Sequence, residues 1–302
     1  MLVFASSDKG GTGRSVTSCN VAFHLAQGLD VAYLDFDFGS PTSGAIFEIP
    51  KAVRGVDRDG LHTYFTDNVA DPRRLDVWRA TSRTELRGGN IRAGRLVFFP
   101  GDRGGAEFGT SPDLDQRCVE LLTRLDSEFD VVVVDLSAGR SAALAMALKA
   151  TAQPSMAGIT VRWLVFHRWT HQHIVAANGL VHGDRGLLSV GESVGHDRQE
   201  LEEAIRFVRV AVPNLQDKNS GQNPAQATWL LACDSGLRKL AADHGLGPTR
   251  VLGTTPVEPV LQWREQIIAE SDVSSKIANE STVDAFKELS SRLTDDAVWG
   301  EE

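Results

Sequence analysis

One glycine-rich stretch carries the residues whose types and spacing most clearly suggest chemistry: residues 9–15, with the sequence KGGTGRS. Glycines let backbone N–H groups turn toward a bound anion, and a helix that begins directly after them adds donors and partial positive charge. Lys9 and Arg14 contribute two cationic side chains, and Ser15 contributes a hydroxyl. The stretch is therefore predicted to bind phosphate groups; the alternative is a glycine turn that binds nothing.

The stretch departs from the usual phosphate-binding pattern G-x-x-x-x-G-K-[ST], in which the lysine reaches the β- and γ-phosphates. Asp8 stands where the first glycine is usual, Arg14 stands where the lysine is usual, and Lys9 is an additional cation. Arginine binds phosphate as a planar fork, whereas lysine acts as a compact point charge. We therefore expect Arg14 to point away from the bridge between the β- and γ-phosphates, which would lower turnover while nucleotide binding survives.

Two aspartates follow predicted strands and are candidates to join the phosphate site. Asp37 lies in the segment DFDFG at 35–39, just past a strand at 31–34, and Asp135 closes the continuous valine run at 131–134. A continuous β-branched run is typical of a central parallel strand that is covered on both faces. Because open α/β sheets bind ligands at the carboxyl ends of their strands, we expect both carboxylates near the glycine-rich stretch.

The elements that would position these side chains alternate between strands and helices. A strand at 2–5, the glycine-rich stretch, a helix at 16–27 and the strand at 31–34 imply a right-handed crossover and parallel strands. We predict an α/β fold with a doubly wound, mostly parallel sheet of seven to eight strands and helices on both faces. Residues 1–293 are predicted to form a single nucleotide-binding domain, and residues 294–302 a short acidic tail.

Two connecting segments have weaker periodicity. Residues 75–78 (LDVW) are predicted to form a short helix. Residues 182–195 contain several glycines and are predicted to form a loop, because glycine disfavours the interior of a helix.

Composition and charge limit the classes of function. The chain has 302 residues, of which 42% are hydrophobic, and its net charge is −9 at pH 7. That charge argues against broad attraction to nucleic acid or anionic lipid. The three cysteines are widely spaced without a metal-like pairing, which favours a reducing compartment. Since no apolar run approaches the roughly 20 residues that span a bilayer, we expect a soluble, cytoplasmic protein.

Residues 9–15 resemble the deviant Walker A loop K-G-G-x-G-[K]-[ST] of the ParA/MinD family, ATPases of the SIMIBI class of P-loop proteins, with Lys9 as the distinctive residue. Residues 35–44 (DFDFGSPTSG) are similar to the family's switch I region. Residues 130–141 (DVVVVDLSAGRS) resemble its Walker B and switch II segment, with Leu-Ser-Ala-Gly where Ser-Pro-Ala-Gly is frequent. Residues 254–259 resemble the turn that closes over the nucleotide base, so the resemblance covers nearly the whole chain.

The resemblance implies a site for ATP or ADP with Mg²⁺, and it gives individual residues expected roles. Asp37 would orient the water that attacks the γ-phosphate, and Lys9 would reach across a homodimer interface to the nucleotide of the other subunit; Arg14 completes the candidate catalytic set. The hydroxyl of Ser15 would bind the magnesium ion, and Asp135 would hold the ion through its water shell. The residues expected to bind nucleotide are Gly10, Gly11, Thr12, Gly13, Arg14, Ser15, Val16, Asn214 and Pro256.

Three functional hypotheses stay open. The first is an ATP-dependent dimerising switch with slow ATP hydrolysis, which positions, partitions or regulates an unidentified protein partner. The second is a hydrolysis-deficient nucleotide-binding scaffold that acts by partner interaction. Lys9 and Asp37 favour the first, whereas Arg14 favours the second. Direct DNA binding is a third hypothesis, which the acidic charge disfavours, and no membrane partner is expected because residues 294–302 do not form a basic amphipathic tail.

Overall fold

A sheet of eight strands lies at the centre of the protein, which is described here by a computed structural model. The described residues are 1–67, 69–87, 93–107, 109, 111–215 and 223–300. The strands are β1 (Leu2–Ser6), β2 (Val31–Phe36), β3 (Leu75–Asp76), β4 (Leu96–Phe99), β5 (Val131–Leu136), β6 (Val161–Arg168), β7 (Ile205–Val212) and β8 (Val251–Pro256).

The strand order is β3-β4-β2-β5-β1-β6-β7-β8. The pair β3 and β4 is antiparallel, and the other neighbouring pairs are parallel. In this order β1 lies between β5 and β6, and Asp35 at the end of β2 stands opposite Asp135 at the end of β5. The predicted fold class, a doubly wound and mostly parallel α/β sheet, is confirmed.

Helices cover both faces of the sheet. The longer ones, each of eight residues or more, are α1 (Arg14–Leu25), α5 (Pro112–Glu128), α6 (Ala142–Thr151), α7 (His171–His182), α8 (Leu187–Val194), α10 (Pro224–Asp243) and α13 (Glu280–Thr294). The shorter ones are α2 (Ser43–Ile46), α3 (Leu61–Thr66), α4 (Val77–Ala80), α9 (Arg198–Glu203), α11 (Pro259–Trp263), α12 (Glu270–Ser274) and α14 (Asp296–Gly300). Within the described ranges, none of the helices has the length and apolar character needed to span a bilayer.

Among the described residues, the sheet separates the two large clusters of the hydrophobic core, and Ile268, Val283 and Phe286 form a third, small cluster. Along β1, Leu2 and Phe4 belong to one cluster, whereas Val3 and Ala5 belong to the other. The first cluster contains residues of α5 to α8, and the second contains residues of α1 and α13. This alternation follows from the period of two along a strand, and it explains why the strands read as continuous apolar runs.

The loop predicted at residues 182–195 was wrong, because most of that segment forms α8. Leu187 and Leu188 are fully buried in the first cluster. A Cβ placed on Gly191 would lie 2.3 Å from Cδ2 of Leu201 in α9. The glycine inside α8 therefore permits close packing between two helices and does not mark a turn.

The short helix predicted at residues 75–78 begins only at Val77. Leu75 pairs with β4 as part of β3, so the first half of the segment belongs to the edge of the sheet. The carboxylate of Asp76 then accepts a hydrogen bond from the backbone N–H of Arg79 at 3.2 Å and caps α4. A side-chain cap of this kind fixes the start of a helix.

The acidic tail predicted at 294–302 contains the short helix α14. The indole ring of Trp299 lies against the guanidinium groups of Arg162 and Arg206, whose Cζ atoms are 4.6 and 5.1 Å from the ring centre. Both arginines are buried side chains of β6 and β7. The tail is thus packed on the sheet, and residues 301–302 lie outside the described residues. The domain boundary itself stays a prediction.

Candidate nucleotide-binding site

The glycine-rich stretch forms the turn between β1 and α1. Gly11 and Gly13 have φ angles of 70° and 83°, in the left-handed region that glycine adopts without strain. Helix α1 begins at Arg14, and Gly13 at its N-cap provides no side chain to pair with the first N–H groups. An N-terminus of this kind, with backbone donors and the positive end of the helix dipole, suits an anion.

Contacts with the loop after β5 fix this turn in place. The backbone N–H of Gly139 donates to the carbonyl of Ser7 at 2.7 Å, and the Ser7 hydroxyl donates to the carbonyl of Lys9 at 3.1 Å. Asp8 forms an ion pair with Arg140 at 3.2 Å. The side chain of Lys9 is exposed.

The guanidinium of Arg14 points inward and is 6% exposed. Its Nε donates to Oδ1 of Asp135 at 2.5 Å, and its Nη2 donates to Oγ of Ser15 at 3.2 Å and to Oδ2 of Asp37 at 3.3 Å. Its Nη1 donates to Oγ of Ser7 at 3.5 Å. One side chain of the turn therefore joins the serine of α1 to the two aspartates that the sequence places at strand ends.

The charges around Arg14 are arranged as one guanidinium among three carboxyl groups. Although burial lowers the pKa of Arg14, attraction by Asp135 and Asp37 raises it above its ordinary value. Burial and repulsion by Asp135 raise the pKa of Asp35 to about 8, although hydrogen bonds from the backbone N–H groups of Ser43 and Asp37 oppose that shift. Partial burial raises the pKa of Asp37, and Arg14 opposes that shift. The buried ion pair of this site is therefore the one between Arg14 and Asp135.

Two cavities of about 160 Å³ each open on the turn and share part of their lining. The turn cavity is lined by residues of the turn, of the segment after β2, of the loop after β5 and of the chain after α11: Ser7, Gly10, Gly11, Thr12, Gly13, Arg14, Ser15, Val16, Asp37, Ser40, Thr42, Ala138 and Glu265. The strand-end cavity is lined in part by residues at the ends of β6, β7 and β8, among them Arg168, Val210 and Pro256. Together the residues that line the two cavities extend from the start of α1 to the carboxyl end of β8.

The family described as the CobQ/CobB/MinD/ParA nucleotide binding domain matches residues 3–240. The chain belongs to this family. The match includes the turn, Asp37 and Asp135, and it agrees with the ParA/MinD resemblance of the sequence motifs. Among curated proteins, the comparison finds no match to this chain.

Solved structures of MinD and ParA proteins share the fold. The MinD cell division protein of Aquifex aeolicus is 14% identical, with a TM-score of 0.59, over 100% of this chain and 97% of that chain. A plasmid partition protein from Borrelia burgdorferi B31 bound to AMPPNP is 13% identical, with a TM-score of 0.59, over 97% of each chain. MinD of Pyrococcus horikoshii OT3 complexed with Mg-ADP is 14% identical, with a TM-score of 0.50, over 98% and 96%.

The donor set that the ParA/MinD resemblance assigns to magnesium does not fit the ion in this arrangement. Magnesium requires oxygen ligands at about 2.0–2.1 Å in near-octahedral geometry and usually keeps several waters. Here Oγ of Ser15 and Oδ1 of Asp135 already accept hydrogen bonds from Arg14, and Oδ2 of Asp135 lies 3.5 Å from the hydroxyl of Ser43. Within the described residues, no group of three or more His, Cys, Asp and Glu side chains is arranged to hold a metal ion.

The structure brings most of the predicted nucleotide-binding residues of this ParA/MinD-family chain to the two cavities. Residues 10–16 line the turn cavity, and Pro256 lines the strand-end cavity. Asn214 is exposed and lies outside both linings. The sequence motifs did not single out Arg168 or Glu265, although Arg168 ends β6 and could have been found by the rule that strand ends face the ligand.

Proposed function

We propose that this chain binds ATP, pairs with a second copy of itself when ATP is bound, and acts as a switch on a protein partner. The observation that supports this most directly is the turn after β1, where left-handed Gly11 and Gly13 and the uncapped start of α1 line the turn cavity. Backbone donors in that arrangement suit phosphate groups. Relatives of the same fold are bound to AMPPNP and to Mg-ADP, which supports an adenine nucleotide as the ligand.

In this proposal the backbone N–H groups of residues 10–16 bind the phosphates, and the strand-end cavity takes the ribose and the base. Lys9 reaches the nucleotide of the second copy; the exposure of its side chain supports that role. Asp37 orients the attacking water when the γ-phosphate is present, and its place in the lining of the turn cavity supports that assignment. Nucleotide binding would then join two copies, and loss of the γ-phosphate would release them.

Hydrolysis is proposed to be slow, and one contact favours the second candidate function, a hydrolysis-deficient scaffold. Oδ2 of Asp37 accepts a hydrogen bond from Arg14 at 3.3 Å. A carboxylate that is held by a guanidinium is less free to align a water molecule and is a weaker base. The ATPase candidate requires Arg14 to release Asp37 when nucleotide binds, whereas the scaffold candidate requires no such movement.

The role in the cell is proposed to be positioning, partitioning or regulation of a protein partner. The relatives of similar fold include a cell division protein and a plasmid partition protein, which supports that class of role. The net charge of −9 argues against direct DNA binding. Salt-dependent DNA binding that appears only with ATP would contradict this part of the proposal.

Light scattering tests the proposed switch. The molar mass of the full chain is measured alone, with ADP and with AMPPNP, on the wild type and on Lys9→Ala. A doubling of mass with AMPPNP in the wild type, and its loss in Lys9→Ala, is the expected result. A mass that AMPPNP leaves unchanged, under conditions where calorimetry shows that AMPPNP is bound, would remove the dimerising switch.

Single-turnover hydrolysis separates the two candidates. Radiolabelled ATP is incubated with an excess of the wild type, of Asp37→Ala and of Arg14→Lys. Slow hydrolysis in the wild type that Asp37→Ala abolishes identifies the ATPase. Absence of hydrolysis in the wild type, with hydrolysis restored in Arg14→Lys, identifies the scaffold.

A further inference from the structure

We propose that the guanidinium of Arg14 takes the place beside the phosphates that the family resemblance assigns to magnesium, so that this chain binds ATP and ADP without a divalent cation. The inference rests on the proposed nucleotide binding and names its cofactor requirement. The contacts, the charge and the position of Arg14 each support it.

The contacts of Arg14 include both protein oxygens that the family resemblance assigns to magnesium. Its Nε is 2.5 Å from Oδ1 of Asp135, and its Nη2 is 3.2 Å from Oγ of Ser15 and 3.3 Å from Oδ2 of Asp37. These are the hydroxyl of α1 and the carboxylates at the ends of β5 and β2. A guanidinium spreads its donors over a plane, so one arginine can bridge all three without a metal.

The charge of Arg14 excludes a second cation from the same position. The guanidinium is 6% exposed and forms an ion pair with Asp135 at 2.5 Å, and an arginine side chain keeps its positive charge in proteins. A magnesium ion that entered between Ser15 and Asp135 would meet this positive charge in a region of low solvent access, where repulsion is strong. It would also have to separate a buried ion pair in which Asp135 is only 1% exposed.

The position of Arg14 lets it act on the phosphates as well as on the protein. Arg14 and Ser15 both line the turn cavity that residues 10–16 enclose. Because the Ser15 oxygen accepts the hydrogen bond from Arg14, its own hydroxyl hydrogen remains available to donate to a phosphate oxygen. The arginine therefore replaces the ion twice, as the cation near the phosphates and as the group that orients the serine.

Isothermal calorimetry of the full chain with ATP and with ADP tests this inference. Each titration is performed in MgCl₂ and again in EDTA, on the wild type, on Arg14→Lys and on Arg140→Lys. Lysine keeps the positive charge at position 14 but cannot bridge several oxygens as a planar fork. Arg140 is the matched control, because it is an arginine paired with an aspartate beside the same turn but outside the lining of the turn cavity.

We expect the dissociation constant of the wild type and of Arg140→Lys to agree within about twofold between MgCl₂ and EDTA, and that of Arg14→Lys to rise about tenfold or more in EDTA. Wild-type binding that needs MgCl₂ would overturn the inference and leave the proposed function standing. Absence of nucleotide binding in both buffers would overturn the proposed function and the inference with it. Because the wild-type comparison is decisive alone, a variant that fails to fold does not weaken the test.

Discussion

Removal of Arg14 is predicted to destabilise the whole protein, because it leaves a buried carboxylate without its partner. Asp135 is 1% exposed and Arg14 is 6% exposed, and their atoms approach to 2.5 Å. Breaking a buried ion pair by deleting one member costs about 3–5 kcal/mol, since the remaining charge stays away from water. We therefore expect Arg14→Ala to lower the free energy of unfolding by about 3–4 kcal/mol at pH 7.

Urea unfolding followed by tryptophan fluorescence measures this effect, since the chain contains six tryptophans. Arg140→Ala is the control, because that arginine is 42% exposed, and we expect it to cost less than about 1 kcal/mol. Adding Asp135→Asn to Arg14→Ala should recover stability, because the unpaired charge is gone. A single variant Arg14→Ala that is as stable as the control would refute the assignment of Arg14 to a buried pair.

Three further predictions concern other parts of the fold. Gly13→Ala should lower stability by about 1–3 kcal/mol, because φ is 83° and the new Cβ would lie 2.8 Å from Cγ1 of Val210; unchanged urea unfolding would contradict this. Burial raises the pKa of Asp35 to about 8, so the wild type loses stability as the pH rises from about 4 through 8; Asp35→Asn should flatten melting temperature against pH over that window, and a parallel profile would count against it. Arg83→Ala should cost about 3 kcal/mol, because Arg83 and Asp272 form a buried pair at 2.6 Å, while calorimetry should show ATP affinity unchanged. Weaker ATP binding by Arg83→Ala would contradict the expectation that Arg83 stabilises the fold without contributing to nucleotide binding.

The central strands and the glycine-rich turn could be predicted from the sequence because their signals are local. The valine run of β5 and the apolar run of β1 indicate strands that are covered on both faces, and the glycines between β1 and α1 indicate a turn. The rule that ligands bind at the carboxyl ends of strands then places Asp37 and Asp135 near that turn. Each inference needs only a few neighbouring residues.

The contacts of Arg14 could not be predicted, because they depend on residues far apart in the chain. Asp135 is 121 positions from Arg14, and the sequence indicates that both approach the same site but not that they touch. The glycine content of residues 182–195 led to a wrong loop prediction, because Gly191 lies inside α8 and permits close helix packing. The acidic composition of the tail also gave no indication that Trp299 stacks on two buried arginines. In both cases the partner across the fold decides the local structure.

The balance of charge around the turn has a consequence for the kinetics of nucleotide capture. The single positive charge of Arg14 is shared between Asp135 and the partly exposed Asp37. At short range an incoming phosphate therefore meets the guanidinium of Arg14 and the peptide dipoles at the start of α1, whose field fades within a turn of helix. This range is shorter than the Debye length of about 8 Å at physiological ionic strength, so mobile ions screen it little. At longer range the net charge of −9 repels the anionic nucleotide, so the association rate constant for ATP should rise with ionic strength as salt screens that repulsion.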